Sequence, residues 1–92
     1  MTTGPDHLEL RRKRLRFRSR HRGTKEIDLL LGAFADRHLD GFGPTELDAY
    51  DALLTKDDAD LFNWITGKAE PPSELQSPVL RLLMSTQLRP LK

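Results

Sequence analysis

The chain has no cysteine, few β-branched aliphatic residues and no long apolar run. The absence of cysteine excludes disulfide bonds, a thiol nucleophile and cysteine-ligated zinc. Seventeen leucines stand against three valines and isoleucines together, a balance that favours helices over strands. No run approaches the roughly 20 apolar residues that a membrane-spanning helix needs, so direct membrane insertion is not expected. Ninety-two residues allow one core, and residues 1–92 are predicted to form one all-α domain.

Charge is distributed unevenly along the chain, although the net charge is only +1. Residues 9–25 carry nine lysines and arginines against one acid, and residues 26–60 carry ten acids against two bases. We call these segments the basic block and the acidic block. Opposed blocks in one small domain either attract each other across the fold or present two faces of different charge.

Helical periodicity and helix-breaking residues divide the chain into a bundle of five predicted helices. No proline lies between Pro5 and Pro44, and Gly23 separates the two long helices that fit in this interval. The first four predicted helices cover residues 7–20, 24–39, 44–54 and about 56–66. The fifth begins at either 73 or 78 and ends at about 84 or 88. Residues 1–6 and 89–92 are expected to be loose ends, and residues 68–72, which contain two prolines, an extended linker.

Several local assignments depend on particular side chains. The second helix has the clearest apolar face, formed by Ile27, Leu30, Leu31, Phe34 and His38. On that face His38 is expected to be a half-buried core residue. The first helix has only a thin apolar stripe, formed by Leu8, Leu15 and, less regularly, Phe17. Thr55 and Asp58 match a capping box that would open helix four, Gly67 is expected to close it, and Trp64 is expected in the core.

No residue pattern indicates catalysis or a resident cofactor. The three histidines stand 14 and 17 residues apart, so no two of them form an i, i+4 metal-ligand pair. The sequence has no glycine-rich phosphate loop, no nucleophile elbow and no dinucleotide fingerprint. The chain is therefore predicted not to be an enzyme and to hold neither a metal nor a cofactor of its own.

The basic block raises nucleic-acid binding as an alternative function. The acidic block would repel the same polyanion, and Phe17 is the only aromatic residue of the basic block available for base stacking. A solvated helix face, partly neutralised by the acidic helices, explains the arginines more simply. No nucleic-acid partner is therefore predicted. Nucleic-acid binding and a generic protein–protein adaptor role stay as alternatives.

The segment from Arg22 to Asp28 is the most informative part of the chain. Gly23 would let the backbone turn so that Arg22 and Glu26 point outward on the same side. Arg22 would then offer planar bidentate donors to a partner, and Glu26 would offer acceptors. On spacing alone, an ordinary helix cap with Gly23 or Thr24 as the N-cap is favoured over a contact site.

Together with its surroundings, this segment resembles the small succinate dehydrogenase flavinylation factors, the SdhE family. The family motif Arg-Gly-x-x-Glu, followed by an acid and a leucine-rich helix, corresponds to residues 22–34. A second similar stretch consists of Tyr50, Leu53, Leu54, Asp58, Asp60, Leu61 and Trp64. The similarity covers about residues 11–68. Thr24 and Tyr50 depart from the methionine and phenylalanine that are common in the family.

The resemblance implies a five-helix fold and a chaperone-like assembly factor. Such proteins bind the flavoprotein subunit of succinate dehydrogenase, or in some bacteria fumarate reductase, and promote covalent attachment of FAD to a histidine of that subunit. By this analogy the partner-binding residues are Arg22, Gly23, Glu26 and Asp28. Arg22 and Glu26 are predicted to be exposed, so that either could be replaced by alanine without loss of the fold.

The chain is further expected to be a monomer in the bacterial cytoplasm. Only about seven residues precede the first predicted helix, which leaves no room for a cleavable mitochondrial presequence.

Overall fold

A computed structural model describes residues 4–87, and within that range the chain forms five α-helices and two single-turn 3-10 helices, with no strand. The helices are α1 (Gly4–Arg20), α2 (Lys25–His38), α3 (Pro44–Leu54), α4 (Asp58–Ile65) and α5 (Pro78–Gln87), and the 3-10 turns are Leu39–Gly41 and Ser73–Leu75. The prediction of an all-α, five-helix domain is confirmed. The predicted loose end at residues 89–92 lies outside the described residues. None of the described helices combines the length and hydropathy that a membrane crossing requires.

The core lies where α2 and α3 pack against α1 on one side and α5 on the other. Its largest fully buried side chains are Tyr50, Phe34, Leu15, Ile27, Leu31, Leu39, Leu47, Leu53, Leu61, Ile65, Leu80 and Leu83. Trp64 is also buried, as predicted. Among the described side chains of the basic helix α1, residues 7–20, only Leu15 and Ser19 are fully buried. Phe17 points to solvent with 62% of its surface exposed, so the suggestion that it belongs to the apolar stripe was wrong.

Two helix starts follow the predicted capping chemistry. The Thr24 hydroxyl accepts a hydrogen bond from the Ile27 N–H at 3.4 Å, which makes Thr24 the N-cap of α2. The Ser77 hydroxyl accepts from the Leu80 N–H at 3.1 Å, one residue before Pro78 opens α5. Of the two predicted starts for helix five, the later one is therefore correct.

Two other helix starts differ from the prediction. Helix α1 begins at Gly4 instead of His7, because a proline in the first turn of a helix removes no intrahelical hydrogen bond and Pro5 therefore does not delay it. Thr55 does not cap α4. Its hydroxyl donates to the Ala52 carbonyl oxygen at 2.6 Å, since Thr55 continues the helical backbone of α3, and Asp57 is the N-cap of α4.

Gly67 ends α4 as predicted. It has a positive φ of 83°, a conformation that glycine adopts without steric cost. The Lys68 N–H donates to the Asn63 carbonyl at 2.8 Å, and the Gly67 N–H donates to the Trp64 carbonyl at 3.2 Å. These two bonds form a Schellman motif, which satisfies carbonyl groups that the helix end would otherwise leave unpaired.

The basic and acidic blocks attract each other across the fold. The ion pairs between α1 and the acidic block are Arg11–Asp48, Arg16–Asp40 (2.6 Å), Arg18–Asp51 (2.8 Å) and Arg20–Asp36. Arg12 instead donates to two backbone carbonyls, those of Leu39 at 2.9 Å and Phe42 at 2.8 Å. Exposed ion pairs contribute about 0–1 kcal/mol each, so their main effect is to fix how α1 lies on its neighbours.

Gly32 in the middle of α2 lies against a side chain of α1. A Cβ atom added there would lie 3.1 Å from Cγ of Arg20. The approaching group is the aliphatic part of an arginine side chain, whose guanidinium reaches Asp36 on the next turn of α2. The glycine therefore lets the basic helix lie close against α2.

Candidate functional site

The connection between α1 and α2 is a tight corner, formed by residues 21–24. Gly23 has a φ of +139°, which residues with a side chain rarely adopt. A Cβ atom added at this position would also lie 3.3 Å from Oδ2 of Asp58 on α4. The backbone conformation thus favours glycine at this position of the Arg-Gly-x-x-Glu motif, and a side chain there would also make a tight contact with Asp58 of α4.

Arg22 points into the molecule, and the prediction that it is exposed was wrong. Only 12% of its side chain is accessible. Its Nε donates to Asp58 Oδ1 at 2.8 Å, and its two terminal nitrogens donate to the carbonyl oxygens of Leu54 at 2.5 Å and Lys56 at 2.6 Å. Because a helix end leaves carbonyls unpaired, an arginine with five fixed donors can join this corner to the end of α3 and the start of α4.

Asp28 holds the other side of the same corner. Its Oδ1 accepts a hydrogen bond from the backbone N–H of Arg22 at 2.7 Å, and its side chain is half-buried. A carboxylate in the first turn of α2 also interacts favourably with the helix dipole. Arg22 and Asp28 therefore give the corner its shape, and their functional groups are directed toward the chain's own atoms.

Glu26 is exposed, as predicted, and its carboxylate has neither a hydrogen bond nor an ion pair among the described side chains, residues 7–85. Together with Thr24, it borders a shallow depression of about 320 Å³ whose other walls come from Asp58, Ala59 and Phe62 of α4. We call the depression and its five lining residues the corner groove. The groove places a free carboxylate beside a largely apolar floor.

Phe62 and Ala59 are site residues that sequence reasoning missed. Ala59 is exposed, and Phe62 is half-buried. Its ring lies 5.9 Å from the ammonium group of Lys68, which shows that it can accept a cation over its face. The only signal in the sequence is that residues 59 and 62 share one face of a helix, and their position opposite Glu26 depends on how α4 packs.

The remaining titratable residues do not form a catalytic cluster within the described part of the chain. No three histidine, aspartate or glutamate side chains there are placed to hold a metal ion. His38 is half-buried and lies against Phe34, with ring centroids 4.7 Å apart, as a core histidine is expected to do. Burial and the neighbouring Arg37 lower the pKa of His38 below 6.5, which favours the neutral imidazole.

The chain is thus a small all-helical protein whose corner groove exposes a free carboxylate beside an apolar floor. The sequence model of the family described as "Flavinator of succinate dehydrogenase" matches residues 13–87. The chain belongs to this family, and the resemblance inferred from the motif is confirmed.

Individual relatives agree with this assignment. The chain is 43% identical over 76 residues to "Succinate dehydrogenase assembly factor 2, mitochondrial" of Dictyostelium discoideum, and the matched segment covers 83% of this chain and 54% of that protein. It is 38% identical over 79 residues to "FAD assembly factor SdhE" of Acetobacter pasteurianus, which covers 86% of this chain and 72% of that protein. A protein of Debaryomyces hansenii with the same name as the first is 42% identical over 82 residues, covering 85% and 58% of the two chains.

The chain spans between half and three fifths of the length of these two mitochondrial relatives. The matched segment includes both the corner and the helices that position it. Because the relatives include bacterial and mitochondrial proteins, a location in the bacterial cytoplasm stays a prediction.

Proposed function

We propose that this chain binds the flavoprotein subunit of succinate dehydrogenase and promotes the covalent attachment of FAD to that subunit. Family membership supports the client and the reaction, since the relatives are named as succinate dehydrogenase and FAD assembly factors. The observation that carries the contact site is the unpaired, exposed carboxylate of Glu26 at the edge of the corner groove. The flavoprotein subunit of fumarate reductase is the alternative client, and the assay described below compares the two subunits.

The residues of the motif have different roles in this proposal. Glu26 contacts the client directly, and Thr24 and the floor of the groove extend the contact. Arg22, Gly23 and Asp28 act through the shape of the corner, because their functional atoms are engaged within the chain. The groove suits a cationic side chain of the client, whose aliphatic stem would lie on Phe62 while its head pairs with Glu26.

The chain promotes the reaction by binding and supplies no reacting group. Attack of a client histidine on the flavin needs the two groups to be held in near-attack geometry, and positioning alone lowers a barrier by up to about 7–11 kcal/mol in favourable cases. A protein that binds the reactive conformation of its client more tightly than the others shifts the population toward it. FAD is thus a substrate held by the client, and the chain, which has no dinucleotide fingerprint, carries no cofactor of its own.

The decisive experiment measures flavin attachment in a purified system. The apo-flavoprotein subunit is incubated with FAD and this chain, and covalent flavin is quantified by its fluorescence after denaturation. Glu26→Ala is expected to slow attachment at least tenfold with no change in melting temperature. Glu70→Ala serves as the matched control, since it removes another exposed carboxylate from the segment between α4 and α5.

The two parts of the proposal fail separately. A wild-type rate with Glu26→Ala would contradict the contact site while leaving the client intact. No stimulation of attachment by the wild-type chain would contradict the function itself. Stimulation with the fumarate reductase subunit alone would reassign the client.

The main argument for nucleic-acid binding was the run of basic residues on the first helix, and the structure weakens it. Six of the eight basic residues between Arg11 and Arg22 are engaged by the chain's own carboxylates or carbonyls. A polyanion would have to displace these contacts, and it would also meet the adjacent acidic side chains.

A further inference from the structure

The face of α1 that points away from the core carries a regular row of exposed residues. The row consists of His7, Leu10, Arg14, Phe17 and His21. The last of these is the first residue after the end of α1. Their spacings alternate between three and four residues, as in the seam of a coiled coil. We call this row the outer stripe. Its two apolar members, Leu10 and Phe17, are seven residues apart and are 50% and 62% exposed.

The outer stripe has depressions beside its side chains, as a surface that packs against a second helix requires. A depression of about 310 Å³ lies beside Leu10 and Arg14, and one of about 210 Å³ lies beside Phe17 and His21. The Phe17 ring is held in place, because it stacks on the His21 ring with centroids 4.0 Å apart. The His21 Nδ1 lies 2.8 Å from the Phe17 carbonyl oxygen, which fixes the imidazole in turn. Side chains projecting beside two hollows can interdigitate with those of a second helix.

Charge determines which kind of helix fits. Arg14 on the stripe and Lys13 beside it are the two members of the basic block's Arg11–Arg22 run with no hydrogen bond or ion pair among the side chains described, residues 7–85. The one acid on this helix within the described side chains, Glu9, pairs with Arg12 at 3.3 Å. A helix that covers the stripe must therefore bring the carboxylates that Lys13 and Arg14 lack.

A second copy of this chain does not meet that requirement. In a two-fold symmetric antiparallel pair, Leu10 would lie opposite Phe17, but Arg14 would lie opposite Arg14 of the other copy. A parallel pair also places Arg14 against its equivalent. Either arrangement buries like charges against each other, which is destabilising.

We propose that the outer stripe is a docking surface for an acidic amphipathic helix of a partner protein. Leu10 and Phe17 pack into the apolar seam of that helix, and Lys13 and Arg14 pair with its flanking carboxylates. The surface lies on a different helix from the corner groove and does not depend on the function proposed for Glu26.

A designed peptide tests the proposal with the full chain. The probe is a labelled 21-residue helical peptide with leucine at the a and d positions and glutamate at e and g, and its counterpart has lysine at e and g. Fluorescence anisotropy is expected to show binding of the glutamate peptide only. The double variant Leu10→Ala/Phe17→Ala should weaken that binding at least tenfold, and Lys13→Glu/Arg14→Glu should transfer the preference to the lysine peptide.

Leu29→Ala is the matched control, because Leu29 is a leucine of α2 that is even more exposed, at 67%, and its replacement should leave binding unchanged. Melting temperatures verify that the variants fold. The proposal is overturned if the glutamate peptide does not bind or if the stripe variants bind it as wild type does. It is also overturned if light scattering finds a dimer that the double variant converts to monomer, or if the stripe binds a dT oligonucleotide in place of the peptide.

Discussion

The Arg22–Asp28 corner has two parts with opposite surroundings. Arg22 and Asp28 face inward, and their polar atoms are bound to Asp58, to two carbonyls and to each other. Glu26, only two residues from Asp28, faces solvent and has no partner among the described side chains. The comparison teaches that a short motif does not have to act as one contact surface. Some of its residues hold the shape that presents the others.

The comparison is tested most strongly by Arg22→Ala against Glu26→Ala. Removing the guanidinium leaves Asp58 and the carbonyls of Leu54 and Lys56 without their donors, and we expect a loss of about 2–4 kcal/mol in the free energy of unfolding. Glu26→Ala should change it by less than about 0.5 kcal/mol, as exposed positions usually do. Urea unfolding followed by circular dichroism measures both. Equal losses in the two variants would contradict the inward–outward division.

The pH dependence of the free energy of unfolding tests a second buried polar group, the phenol of Tyr50. Burial raises the pKa of Tyr50 to about 12, while its hydrogen bond with Ser19 (2.5 Å) and the nearby Arg22 and Arg18 lower it. In the unfolded chain the phenol ionises near pH 10, so its contribution is fully present below pH 10 and is lost as the pH rises toward 12. The loss over this interval is about 2–3 kcal/mol.

The matched variant for this test is Tyr50→Phe, which should unfold with a shallower dependence on pH between 10 and 12. It should also lose about 1 kcal/mol at neutral pH, because the Ser19 hydroxyl loses one partner. Urea midpoints measured at several pH values provide the test. Parallel pH profiles for the variant and the wild type would show that Tyr50 is not the group responsible.

Gly23→Ala is expected to have a somewhat smaller effect, of about 1–3 kcal/mol, because it forces a side chain into a rarely adopted backbone conformation. Gly41→Ala is the control, since a Cβ atom there would meet nothing within 4 Å. The two melting temperatures are compared directly. If Gly23→Ala is as stable as the control yet slows flavin attachment, the glycine belongs to the contact surface and the division of the corner must be redrawn.

Much of the fold followed from local sequence chemistry. Pro44, Gly67 and Ser77 mark helix ends through backbone geometry and capping that depend on a few neighbouring residues, and the structure places them accordingly. Thr55 shows where this reasoning fails. The same hydroxyl can cap the next helix or bond back to the preceding one, and the residue sequence does not distinguish these outcomes.

The candidate site was predicted only in part. The motif drew attention to residues 22–28, and Glu26 is exposed as expected. The inward direction of Arg22 could not be predicted, because its acceptors lie 32 to 36 residues further along the chain. The same holds for the groove floor, since Phe62 lines the same groove as Glu26 only through the packing of α4 on α2.

Composition and spacing by themselves determined that this chain is a small helical domain whose halves carry opposite charge, since helix periodicity and charge patterning are local properties. Only the tertiary structure decided which charged side chains pair with other groups of the molecule and which stay unpaired at the surface. An arginine's role depends on the acceptors that distant segments bring to it, and those acceptors come together only when the helices pack.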